Sequence, residues 1–162
     1  MIRHLLTLPL LALALACAGT PTKPDGEKPA PSEHEVDFEA AGLTIHGTLT
    51  VPADAERAPA ILLIAGSGPT DRDWNSRLLP GTNGSAKLLA DELARSGLVV
   101  LRYDKRGAGK TGVPKEVTWA DYLAEQRAAL ELLRARPEVD PERIFVAGHS
   151  EGGAHALKLA QN

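Results

Sequence analysis

Two kinds of hydrophobic pattern run along the chain, and their order predicts its architecture. Val36-Asp37-Phe38-Glu39 alternates apolar and polar positions, Ala41-Gly42 interrupts, and Leu43, Ile45, Leu49 and Val51 then alternate with Thr44, His46, Thr48 and Thr50. Strand side chains point alternately to opposite faces, so this stretch reads as a hairpin with one face in the core and one in water. His46 falls on the polar face and is expected to be a solvated strand residue rather than a ligand or base. The runs Ala60 to Ala65 and Leu98 to Tyr103 are apolar without alternation, as parallel strands covered on both faces should be. Between them Ala86, Leu89, Ala90 and Leu93 recur at helical spacing, and Gly97 supplies the stop. Thr118, with Asp121 following, predicts a helix start of the capping-box type. Its apolar stripe is Trp119, Tyr122, Leu123, Leu130 and Leu133, and Pro137 ends it. Ile144 to Ala147 reads as a third buried strand and Gly152 to Gln161 as one more helix. Strands alternating with helices predict an α/β class on a mostly parallel sheet.

The ends of this pattern set the domain organisation. Met1-Ile2-Arg3-His4 precedes an apolar run from Leu5 to Ala16, too short to span a bilayer comfortably but fitting the apolar region of an export signal. Two processing readings compete: Ala14-Leu15-Ala16 is a small-residue cleavage site, and it also stands directly before Cys17, the single cysteine. A lone cysteine in an exported chain has no internal disulfide partner, which favours a lipoprotein-type signal over residues 1–16 with Cys17 lipid-modified. Residues 17–35 are rich in Pro, Lys, Glu and Thr without periodicity and read as a disordered linker, leaving residues 36–162 as the folded domain. The expected location is outside the cytoplasm, membrane-anchored through Cys17 or otherwise periplasmic or secreted.

Composition narrows the partners. With 43% apolar residues, 24% charged residues and a net charge of -3, the chain is globular and mildly acidic, and it carries no basic stripe for nucleic-acid phosphates. The histidines are scattered, so no metal is expected. Gly107-Ala108-Gly109-Lys110-Thr111-Gly112 carries fragments of phosphate-binding motifs. Asp104 stands where a P-loop needs its first glycine, however, and Gly112-Val113-Pro114 breaks the helix that must follow. No cofactor is expected.

The chemistry is carried by Gly148-His149-Ser150-Glu151-Gly152, a G-x-S-x-G motif placed between a buried strand and a helix, the setting the motif requires. The turn is too tight for side chains at Gly148 and Gly152, and it projects the Ser150 hydroxyl above the sheet as a nucleophile. The Glu151 backbone N–H, at the helix N-terminus, points toward charge developing on an acyl oxygen.

Four segments together resemble bacterial α/β-hydrolases of the carboxylesterase and serine aminopeptidase-like group. They are Gly66-Ser67-Gly68-Pro69-Thr70-Asp71-Arg72-Asp73, Arg102-Tyr103-Asp104-Lys105-Arg106-Gly107, Gly109-Lys110-Thr111, and Gly148 to Gly153. The resemblance implies an α/β-hydrolase fold and a second oxyanion donor at the backbone N–H of Ser67. It also implies a structural, ion-paired turn at Asp104, Arg106 and Gly107, while Asp71, Arg72 and Asp73 either line the site or brace the loop. Trp74 and the insertion-like Arg77-Leu78-Leu79-Pro80-Gly81 depart from the family pattern.

In that family the acid and then the histidine follow the serine. Here the chain stops at Asn162, inside the helix after the nucleophile, and neither His149 nor His155 matches the catalytic histidine. The expectation is an N-terminal part of a serine hydrolase, truncated after the elbow strand and helix and of doubtful activity alone. Carboxylic esters are the expected substrates. A peptidase-like hydrolase and a non-catalytic exported lipoprotein that keeps the fold are the alternatives.

Overall fold

A computed structural model describes residues 29–161. The signal over residues 1–16, Cys17 and most of the expected linker therefore lie outside the described residues. Where the linker was expected to run to residue 35, backbone pairing begins earlier: β1 spans Ser32–Ala40 and pairs antiparallel with β2, Leu43–Val51, with Ser32 opposite Val51. Glu33 and Glu35 lack apolar character, but their carboxylates meet buried arginines, a gain that strand periodicity cannot report. Ala41 (φ 46°) and Gly42 (φ 76°) form the two-residue turn, both in the left-handed region that right-twisted hairpins favour.

The remaining elements are β3 (Ala58–Ile64), α1 (Ser85–Arg95), β4 (Val99–Tyr103), α2 (Trp119–Arg134), β5 (Val139–Gly148) and α3 (Glu151–Leu159). They build a five-stranded sheet in the order β1-β2-β4-β3-β5. The two pairings made by β2 are antiparallel, and those of β3 with β4 and β5 are parallel. Period two sorts the side chains. Leu62, Ile64, Leu101, Tyr103, Ile45 and Leu49 pack with Ala129 and Leu133 of α2, while Leu63 and Val100 turn to Ala90 of α1 on the other face. Ile144 to Ala147, expected as a third buried strand, instead lies in β5 at the edge of the described sheet: with β3 as its one neighbour among the described residues, it is only half-buried and leaves Phe145 53% exposed.

Helix ends follow their local chemistry. Thr118 Oγ1 accepts from Asp121 N while the Asp121 carboxylate accepts from Thr118 N, the reciprocal capping box expected from sequence. After α1, Gly97 (φ 95°) lets the Leu98 and Gly97 N–H groups close onto Leu93 and Ala94 carbonyls, a Schellman ending. Other details also differ from the expected pattern, among them Trp119 of the expected α2 stripe, which is 46% exposed. In α1 the buried stripe is Ala86, Ala90 and Ala94, and Leu89 is 39% exposed: small side chains bring the helix close to the sheet and leave the larger one outside. On β2, Thr48 and Thr50 are buried rather than solvated because α1 and the loop after β3 cover that face.

Candidate active site

Sheet and helix meet at Ser150. Its backbone sits at φ 54°, ψ −121°, at the N-cap of α3, directly after β5. A side chain in this region costs about 1–3 kcal/mol and persists only where the surroundings over-determine it. Here His149 N–H donates to Ile64 O at 3.0 Å, Gly152 N–H to His149 O at 2.9 Å and Gly153 N–H to Ser150 O at 2.9 Å. The expected role of the flanking glycines is visible as distance. A Cβ on Gly148 would lie 2.0 Å from Gly152 O, and one on Gly152 would lie 2.5 Å from Ile64 O. The serine is exposed, and Glu151 opens α3, so its N–H lies outside the intrahelical ladder.

The loop after β3 lies against this elbow. A Cβ on Gly66 would stand 3.3 Å from Ser150 Cβ. Ser67 is exposed, and its carbonyl accepts from Thr70 Oγ1 at 2.9 Å. Of the two roles open to Asp71, Arg72 and Asp73, the structure shows bracing. Asp71 Oδ1 accepts the Asp73 and Asn75 N–H groups at 2.9 Å each. Arg72 is buried, donating to Asp104 Oδ2 at 2.9 Å, Thr48 Oγ1 at 2.7 Å and Glu35 Oε1 at 3.0 Å. Asp73 and Glu33 both pair with the fully buried Arg102 of β4. A hydrogen bond from Lys110, helped by Thr48 and Arg72, holds the Glu35 carboxyl down at about 2. Burial pushes the Asp73 carboxyl up, against the pull of Arg102.

The glycine-rich turn after β4 cradles an anion, but the anion is the protein's own. Asp104 accepts Arg72 N–H at 2.8 Å and Lys110 N–H at 2.9 Å, and a Cβ on Gly109 would collide with its carboxylate at 2.1 Å. Among the described residues no group of three or more His, Cys, Asp or Glu is placed to hold a metal ion, and no helix is long and apolar enough to cross a membrane.

Both histidines beside the serine are engaged elsewhere. His155 is buried, stacked on Trp119 (3.9 Å between centroids, 13°), with Nε2 3.4 Å from Glu151 Oε1. His149 lies over Trp74 at 5.2 Å. Trp74 itself has φ 63°, so the residue that departs from the family pattern is a strained aromatic wall beside the elbow. Farther along the same loop, Leu78 and Leu79 are exposed. His46, on the hairpin, bonds Asp37 at 2.7 Å.

Under the site lies a buried ion pair that periodicity did not mark. Arg106 Nε donates to Glu125, which is wholly buried in α2, and Arg106 Nη1 lies 3.4 Å from Asp121. Burial pushes the Glu125 carboxyl up while Arg106 opposes it. Glu125→Ala is expected to cost about 3 kcal/mol in denaturant melts of the full-length protein, because it removes the buried partner of Arg106 and leaves only the partly exposed Asp121, 3.4 Å away, to offset that charge. An unchanged midpoint would show that the pair carries no such weight.

Residues 81–162, about half of the chain, match the family described as serine aminopeptidase, S33. Esterase EstD of Thermotoga maritima is 32% identical over 144 residues, covering 86% of this chain and 33% of that protein. Among solved structures, hypothetical protein PA2218 from Pseudomonas aeruginosa superposes with a TM-score of 0.66 at 26% identity, over 79% of this chain and 38% of that one. The carboxylesterase EstE1, from a metagenomic library, does so with a TM-score of 0.59 at 27% identity, over 81% and 41%. The chain thus spans about a third of the length of the esterase it matches. The sheet order, the strained turn after β5 and these likenesses agree: the chain belongs to the S33 serine aminopeptidase family of α/β-hydrolases and forms an N-terminal part of that fold.

Proposed function

We propose that Ser150 is the nucleophile of a serine hydrolase that transfers the acyl group of a carboxylic ester to water. The observation that carries this reading is the strained Ser150 backbone, over-determined by glycine contacts and placed at the N-terminus of α3. Ser150 Oγ attacks the ester carbonyl, and the Glu151 and Ser67 N–H groups receive the oxyanion. The alcohol leaves, and water releases the acid from the acyl-enzyme. This reading uses neither His149 nor His155 as base: in the family the acid and the histidine follow the serine on later strands, and His155 is buried against Trp119. Esters are the less demanding substrates, and two of the relatives are described as esterases. The family description favours a second reading, hydrolysis of an aminoacyl amide.

A fluorophosphonate probe reacts with a serine activated by a neighbouring base. The full-length protein should label at Ser150 and turn over p-nitrophenyl esters faster than aminoacyl p-nitroanilides. The reverse preference selects the peptidase reading, and absence of both labelling and turnover leaves an exported protein that keeps the fold without the chemistry.

The substrate is a small acyl compound, with no nucleic-acid partner. The protein works outside the cytoplasm, and a lipid on Cys17 is its membrane contact. Mass spectrometry of the N-terminal peptide should find mature protein beginning at a diacylglyceryl-modified Cys17; an unmodified cysteine or cleavage elsewhere places it in a soluble exported pool.

A further inference from the structure

Lys105 is one of the most buried charged side chains beside the candidate site, and among the described residues no carboxylate forms an ion pair with it. It lies between Asp104 and Arg106, both committed to buried pairs, and is itself 6% exposed. Its ammonium donates to the Gly66 carbonyl oxygen and stands 5.6 Å from the centre of the Tyr122 ring. Glu151 and Glu125 act on it only through space, and burial pulls its pKa down despite them. Burying a lysine without a paired carboxylate is costly, so stability alone does not account for it.

The acceptor suggests what the charge does. Gly66 O belongs to the same planar, trans peptide as Ser67 N–H, so the two point in opposite directions. Gripping the oxygen sets the direction of the N–H and, by drawing electron density toward the carbonyl, makes that N–H a stronger donor. Gly66 is also the loop residue that approaches Ser150 Cβ. We infer that Lys105 is a positioning residue, holding the Gly66–Ser67 peptide so that the Ser67 N–H serves the oxyanion. This rests on the hydrolase reading above.

Lys105→Met in the full-length protein tests it. Methionine keeps the length and removes a buried charge, so the melting temperature should stay level or rise. Meanwhile kcat for a p-nitrophenyl ester should fall about tenfold to a hundredfold with KM within about twofold, the mark of an interaction made in the transition state. Lys105→Arg, which retains a charged donor, should recover part of the loss, and a boronic acid inhibitor should weaken in parallel with kcat. A residue that merely supports the fold gives the opposite pattern: a lower melting temperature, with kcat per folded molecule unchanged. That result, or Lys105→Met with wild-type kcat while Ser150→Ala is dead, overturns the role of Lys105 and leaves the hydrolase standing. Turnover that survives Ser150→Ala overturns both.

Discussion

Ser150→Ala in the full-length protein is expected to lower ester turnover by about a million-fold, to the level left by binding and oxyanion contacts, and to abolish fluorophosphonate labelling. The backbone strain stays with alanine, because φ 54°, ψ −121° is as uncomfortable for one Cβ as for another. Stability should therefore hardly move, and activity and fold are read separately. Ser150→Gly sharpens the point. Glycine enters this region freely, so the variant should be inactive yet more stable than the parent by about 1 kcal/mol, measured by chemical denaturation. A Ser150→Ala protein with full activity would remove the serine-hydrolase reading however well the elbow is built. A Ser150→Gly protein that is less stable would show that the turn is not strained in the way its angles imply.

Gly148→Ala is expected to be the most damaging single methyl in the molecule. The added carbon would sit 2.0 Å from Gly152 O and 2.1 Å from Gly152 C, against backbone inside a hydrogen-bonded turn. A flexible side chain can swing aside from such a clash, but β5 and α3 cannot separate without giving up the bonds that hold Ser150. A loss above about 4 kcal/mol, or failure to accumulate folded protein, is the expected result. Gly66→Ala is the internal control. Its new carbon meets His149 Nδ1 at 3.0 Å, on a ring that can turn aside, and His149 O and Ser150 Cβ at 3.3 Å each, contacts relieved by shifts of a few tenths of an ångström. That variant should fold, with its effect concentrated on kcat. Equal damage from both would mean that close packing at the elbow, rather than the collision at Gly148, governs the loss.

Much of the architecture was legible because it rests on local rules. Alternation at Val36 to Val51 marks a hairpin, the apolar runs Ala60 to Ala65 and Leu98 to Tyr103 mark buried strands, and Thr118 with Asp121 marks a helix start, each a statement about near neighbours; the run Ile144 to Ala147 misled, because its place at the edge of the described sheet is set by topology. The tight turn at Ser150 was legible as those local elements were, since Gly148, Ser150 and Gly152 act on one another across a few residues. Charged groups were less so. Glu125 and Gln126 interrupt the apolar stripe of α2 yet are fully buried, because Arg106 reaches Glu125 from the loop after β4 and Tyr103 of β4 meets Gln126. Glu33 and Glu35 look like linker residues until Arg102 and Arg72 reach them from β4 and the loop after β3. The glycines around Lys110 resemble a phosphate cradle, and the fold supplies Asp104 as the anion instead.

The sequence by itself determined the α/β class, the hairpin turn, the helix caps and Ser150 as candidate nucleophile, since hydrophobic period and turn chemistry act over short separations. Only the tertiary structure decided that His155 stacks on Trp119, that Asp71, Arg72 and Asp73 brace a loop, and that Lys105 holds the Gly66 carbonyl. The physical reason is that a buried charge or hydrogen-bonding group must find its partner wherever the chain brings one. That partner is chosen by the crossing of strands and loops far apart in sequence, not by residue type or spacing.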